Sequence, residues 1–251
     1  MKLLALIGLL TLAAPAADQE GSFGRAVDAY RRGDYEAAES YWRATLEEPL
    51  TTPLTTKERA RVLYDLGNAA WRRGEALEAV GWYTACIRID PRNRDAWYNL
   101  NRARSESGLE PADRGDLPAT LRRLVRSLTA AESAWLVLAA TLLLALPLVG
   151  EALRGGRAWK GLSLAAALLL LVSLVPWSRR LFDDPGDPYL VIAQPAIVLR
   201  AEPREDLPAI GALDAGEEVQ RIDELADWLR IERADGEQGW VPRDTLLALI
   251  P

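Results

Sequence analysis

Two stretches decide the reading: Arg32-Gly33-Asp34-Tyr35-Glu36-Ala37-Ala38-Glu39-Ser40-Tyr41-Trp42-Arg43-Ala44-Thr45-Leu46 and Arg73-Gly74-Glu75-Ala76-Leu77-Glu78-Ala79-Val80-Gly81-Trp82-Tyr83-Thr84-Ala85-Cys86-Ile87. Each opens on a glycine turn. Each then places a small residue five positions on (Ala38, Ala79) and an aromatic nine positions on (Trp42, Tyr83). Leu66-Gly67-Asn68-Ala69-Ala70-Trp71 precedes the second stretch, and Asp90-Pro91 then Asp95-Ala96-Trp97-Tyr98-Asn99-Leu100 follow it. Gly67 and Ala79 are small where two antiparallel helices must approach closely. Gly74 turns the chain between them, and Pro91 stops the second helix, because proline lacks the backbone donor that would continue it.

The pattern resembles the tetratricopeptide repeat (TPR), whose unit of about 34 residues is a helical hairpin. Gly33 and Gly74 are 41 residues apart. The excess falls in the proline-broken stretch Pro49–Thr55. The reading is therefore a repeat region over 17–107: one unit at about 19–49, a second at about 60–93 and a capping helix at 94–107. The resemblance implies a concave face, lined by the first helix of each unit, that takes an extended peptide or a helix. Position by position the lining here is Tyr64, Asn68, Trp71, Arg72, Tyr98 and Arg102, with Asn99 nearby. Asparagine carries both a donor and an acceptor for a peptide main chain, and Arg72 and Arg102 suit a carboxylate. Asparagines in such helices also cap or bridge neighbouring units, and Trp71 also reads as packing. Cys86 falls at a small core-facing position, as a buried hydrophobe.

Composition narrows the chemistry. The 251 residues include no histidine and one cysteine. That excludes Ser-His-Asp and Cys-His catalysis, imidazole zinc sites and internal disulfides. There are no paired carboxylates in a recognisable motif, no phosphate loop and no metal-ligand spacing. The expectation is no catalytic residue, no metal and no cofactor. Charge is uneven: residues 18–133 carry 19 acidic and 18 basic side chains, whereas residues 181–251 carry 16 and 6. Neither part is basic enough for nucleic acid.

Residues 1–16 read as a secretory signal, with Lys2, an apolar run from Leu3, and Ala14-Pro15-Ala16 as a small-x-small cleavage site. An uncleaved anchor and a buried helix remain alternatives for the same run. After a Gly/Pro linker and an arginine-rich amphipathic segment (108–132), two uncharged runs, 133–150 and 161–178, have the length of membrane spans. Trp135, Trp159 and Trp177 stand at their ends, where interfacial aromatics belong. The joining loop 151–160 holds Arg154, Arg157 and Lys160, against Arg122, Arg123, Arg126, Arg179 and Arg180 on the outer flanks. The arginine count favours the flanks inside; the signal favours the loop inside.

After a hinge at 179–188 the pattern changes to short extended runs: Ala196–Arg200, Glu217–Ile222 and Asp227–Glu232, with an Asp235-Gly236 turn and Gln238-Gly239-Trp240-Val241-Pro242. Residues 189–251 thus read as a small barrel. The order of these features resembles bacterial SH3-like domains, relatives of which bind cell-wall peptides or proteins. Ala201-Glu202-Pro203 replaces the Ser-Gly-Pro usual in that family, which weakens the case for a ligand site there, and Trp240 reads as core or wall of the barrel rather than a ligand platform.

The whole is read as a multidomain membrane protein: an all-α TPR solenoid, a two-helix transmembrane hairpin and a small all-β SH3-like barrel. That order of parts resembles the Bat (aerotolerance-operon) family. The resemblance implies a membrane-anchored scaffold, and the missing catalytic motifs make it non-enzymatic. The signal followed by an even number of spans puts both soluble domains on the periplasmic side of the bacterial inner membrane. The scaffold's partners, on the same resemblance, would be other membrane or periplasmic proteins, von Willebrand factor A-domain proteins and a MoxR-type ATPase among them, together with membrane lipid. An envelope sensor whose SH3-like domain binds peptidoglycan is the alternative.

Overall fold

Five helices form the N-terminal part: α1 (Gln19–Arg31), α2 (Tyr35–Glu47), α3 (Thr56–Arg73), α4 (Ala76–Ile89) and α5 (Arg94–Glu106). The structure, a computed structural model, describes residues 19–47, 53–112, 117–182, 188–192 and 197–249. The expected signal and most of the Pro49–Thr55 stretch lie outside these residues. Gly33 and Gly74 make the two hairpin turns with φ of 82° and 85°, a conformation that favours glycine. Gly74 also closes α3, its N–H donating to the carbonyls of Ala70 and Trp71. Thr55 and Glu58 form a capping box at the start of α3. Past Pro91, Asn93 accepts the Ala96 N–H at 3.0 Å and starts α5.

Close packing follows from the small residues. A Cβ on Gly67 would lie 2.6 Å from the Tyr83 ring, so the missing side chain is what lets Tyr83 cross α3. Ala69, Ala70 and Ala79 are fully buried beside it. Every residue of α4 from Glu78 to Cys86 is buried. Burial pushes the Cys86 thiol up to about 12; it is a core side chain that stays protonated. Charged groups join the hairpins across α2 and α4. Arg43 binds Glu39 at 2.6 Å and Glu78 at 2.7 Å. Arg73 binds Glu39, and reaches Glu75 and Glu78 at 2.6 Å each.

Helix α6 (Leu117–Ser127) leads to the long helices α7 (Ala130–Arg154) and α8 (Arg157–Phe182). These two continue through the segment expected as a loop. The turn is reduced to Gly155-Gly156, both at positive φ, because the charged residues on either side suit a helix end as well as a loop. Leu142, Leu146, Leu164 and Leu171 on these helices are each more than 50% exposed. Arg92, before α5, meets Glu132, in the first turn of α7, at 2.8 Å.

The C-terminal part is an antiparallel sheet of β1 (Pro188–Val191), β2 (Ile197–Arg200), β3 (Ala209–Leu213), β4 (Glu218–Leu225), β5 (Trp228–Glu232), β6 (Gln238–Pro242) and β7 (Leu246–Ala248). Its strand order is β3-β2-β6-β5-β4-β1-β7. The expected barrel is not closed: no ladder joins β3 to β7 among the described residues. The end strands β1 and β7 extend the sheet past β4, where they meet the helices. Leu199, Leu213, Val219, Leu229, Ile231 and Val241 make the core of the sheet. Trp240 is half-buried opposite Arg200 and Arg230, outside that core.

Gly67→Ala is expected to lower the stability of the helical part by about 1–3 kcal/mol, the usual range for overpacking. Thermal unfolding followed by circular dichroism measures this. An unchanged melting temperature would show that the Tyr83 ring yields freely.

Candidate functional site: a groove across the helical hairpins

Helices α1, α3, α4 and α5 enclose a cavity of about 310 Å³ lined by Tyr30, Asn68, Trp71, Arg72, Tyr83, Asn99 and Arg102. Five of the lining residues expected from sequence, Asn68, Trp71, Arg72, Asn99 and Arg102, meet in it. Tyr64 sits behind them, its hydroxyl 3.2 Å from Asn99 Nδ2. Tyr98 is 70% exposed and does not line the cavity. Sequence reasoning missed two residues. Tyr30 belongs to the first helix of the first hairpin, where the repeat pattern is weakest. Tyr83 comes from a second helix and reaches the groove over Gly67, a contact that the small residue at position 67 could have signalled.

The polar floor is a connected set. The Tyr83 hydroxyl donates to Asn68 Oδ1 at 2.8 Å. Asn99 Nδ2 donates to the same oxygen at 3.2 Å as well as to Tyr64. Asn68 also hydrogen-bonds the Asp65 carboxylate. Asn68 therefore bridges α3, α4 and α5, and its first task is to hold them. Asn99 uses its Nδ2 inside the protein, so an acceptor, its Oδ1, is what it can offer to a peptide N–H.

The rim is cationic and aromatic. Arg102 lies 4.9 Å over the Trp71 ring. The Tyr30 hydroxyl stands by the Arg72 guanidinium and raises its pKa. Tyr30 in turn packs edge-on against Tyr35, with ring centroids 5.2 Å apart. Among the described residues neither arginine makes an ion pair with a carboxylate. Two guanidinium groups thus stand at the mouth of a mostly polar cavity, Arg102 over the Trp71 ring and Arg72 by the Tyr30 hydroxyl, with no carboxylate paired to them among the described residues. That arrangement suits a ligand carboxylate backed by further hydrogen-bonding groups.

Residues 23–94 match the family of tetratricopeptide repeats. Residues 196–246 match the bacterial SH3 domain family. No curated protein matches the chain. Both matched families consist of interaction modules: the repeats bind proteins, and the SH3 domains bind proteins or cell-wall peptides. In the repeat match, the cavity uses both hairpins and takes Asn99 and Arg102 from α5, beyond the matched residues. In the SH3 match, Arg200 donates to the Leu207 carbonyl, which ties the end of β2 to the segment before β3.

Asp65 underlies the groove. Burial raises its pKa to about 6, against the pull of Arg61 and of the Asn68 hydrogen bond. The folded protein therefore binds this proton more tightly than the unfolded chain does. Its effect is to lower stability as pH rises from the normal aspartate value to about 6, after which the cost is constant. Asp65→Asn is expected to melt higher than the parent at pH 7.5, with the gain shrinking toward pH 4. Paired thermal melts at both values check this; an equal gain at both would assign the effect to something other than the buried charge.

Proposed function

We propose that the chain is a non-enzymatic, membrane-anchored scaffold that binds an extended segment of a partner protein in the groove. The observation that carries this reading is the pair of guanidinium groups, Arg72 and Arg102, set at the mouth of the cavity without carboxylate partners among the described residues. Two long helices supply the anchor. Ala131–Arg154 and Arg157–Ser178 are long and apolar enough to cross a membrane, and only 11% and 6% of their most apolar windows are buried within the protein. A water-soluble protein does not leave that much leucine surface exposed.

The order of repeat region, two spans and SH3-like domain supports membership of the Bat family, with its member BatE as the most similar arrangement. On that reading the partners are von Willebrand factor A-domain membrane proteins and a MoxR-type ATPase, in an envelope complex linked to stress or oxygen tolerance. The domain limits of this reading are a signal at 1–16, repeats at 17–107, spans at 133–150 and 161–178, and the SH3-like domain at 189–251. The binding residues are Asn99, Arg72 and Arg102, with Trp71 beside them, Tyr64 behind and Asn68 as the brace; Tyr98, outside the cavity, is reached only by a partner that extends past the groove. A second reading, a sensor whose SH3-like domain binds peptidoglycan, draws on the bacterial SH3 match over residues 196–246. The net acidic charge of that domain favours a basic partner, and sedimentation of the full-length protein with purified cell wall tests this second reading directly.

Replacing both Arg72 and Arg102 with alanine is expected to weaken capture of a co-purifying partner by roughly 10- to 150-fold. That corresponds to the loss of about 1.5–3 kcal/mol of charged hydrogen bonding. Retained capture by the folded double variant would place the site elsewhere.

The topology of the same reading is testable by reporter fusions at Pro111, Gly156 and Pro251. Alkaline phosphatase should be active at the first and third positions and a fluorescent protein at Gly156 alone. The reverse pattern would invert the hairpin and remove the export role of residues 1–16.

A further inference from the structure

Strands β1 and β7 are apolar on both faces, and their side chains alternate between two cores. Tyr189, Val191 and Leu246 pack inside the sheet. Leu190, Ile192, Leu247 and Leu249 pack into the core of the helices. The register sets Leu190 opposite Leu247, so these two leucines share the outward face. Leu190 and Leu249 are 1% and 0% exposed. Strands buried on both sides belong in the interior of a fold, not at the rim of a small independent domain. β1 lies outside the SH3 match, and β7 begins where that match ends, at residue 246.

The helical side has a matching seat. A Cβ on Gly81 would overlap Leu247 Cδ2, so Leu247 occupies the space left by the missing side chain. Glycine inside a helix is unfavourable on its own account; here it is the dent that receives the sheet. Arg88 Nη2 meets Glu218 Oε2 at 2.5 Å on one rim. Leu109, after α5, covers Gly216 on another. The contacts join residues on either side of both long helices.

A stack of helical repeats leaves an apolar end that needs a cover, and α5 alone does not supply it, since α4 is apolar on the side that α5 leaves open. We propose that the β-sheet domain is that cover. β1 and β7 dock in cis on α4, close the end of the stack and make helices and sheet a single folding unit. One edge of the sheet is thereby committed to the helices. The opposite edge, β3, is the one left for an outside ligand. Where the long helices span a membrane, as read above, the seam holds both soluble parts on one side of it, independently of any signal at the N-terminus. Gly81 and Tyr83 lie on nearly opposite sides of α4, so the docked sheet also backs the floor of the groove.

The seam predicts a disulfide. Leu247 Cβ lies 3.5 Å from the position of a Cβ on residue 81, within the range that a disulfide bridges. Gly81→Cys with Leu247→Cys, in a full-length chain carrying Cys86→Ala, should oxidise to an intramolecular bond, seen as a mobility shift on a non-reducing gel. No bond, or bonds only between two chains, would overturn docking in cis. Amide exchange of full-length Leu247→Asp tests the capping role separately. Residues 79–86 should exchange about tenfold faster or more than in the parent, whether or not the sheet itself loosens. Unchanged protection of α4 would show that the stack needs no cover.

Discussion

From Glu78 to Cys86, helix α4 has no face left for water, and the soluble parts of the protein are arranged around that fact. One side of it sends Tyr83 past Gly67 into the groove. Another carries Glu78 to Arg43 of the neighbouring hairpin and to Arg73 of its own. A third presents Gly81 to Leu247 of the sheet. A helix of only 14 residues could not be stable in water with such a composition. Its burial supplies the driving force that holds hairpins and sheet together, at roughly 25 cal/mol per Å² of apolar surface removed from solvent.

The groove inherits its shape from this packing. Its polar floor consists of side chains that already satisfy one another, with Asn68 at the centre. The charge of the groove sits at its mouth instead, on Arg72 beside the Tyr30 hydroxyl and on Arg102 over the Trp71 ring. The separation of brace from binding group is physical. Removing a buried bridging amide strands its partners, whereas removing an exposed guanidinium changes mainly what the groove attracts. The buried ion network of Glu39, Arg43, Arg73 and Glu78 sets the register between hairpins, and so sets the distance from Tyr30 to the second repeat.

Much of this was legible in the residues. Glycine at 33 and 74, small residues at 67 and 79 and proline at 91 mark helical hairpins, because each answers a local backbone or close-approach demand. Two uncharged runs flanked by tryptophan mark the long helices for the same kind of reason: length and polarity are properties of a segment by itself. Three extended runs and an Asp-Gly turn marked the sheet. β1, β3 and β7 were not marked, since short strands without clear alternation carry little periodicity. The groove residues of α3 and α5 came from matching the repeat; Tyr30 and Tyr83 did not.

What the sequence determined by itself was the kind and order of the parts: paired helices, an apolar helical pair, a sheet, and a chemistry without histidine. Tertiary structure decided what those parts do to each other. It turned Asn68 from a candidate ligand group into a brace, left the expected barrel open, and seated Leu247 in the dent at Gly81. The reason is that a local pattern reports only which face of an element is apolar. Which other element covers that face depends on contacts between residues far apart in the chain, 15 and 31 positions for Asn68 and more than a hundred for Leu247, and no periodicity within either segment encodes the pairing.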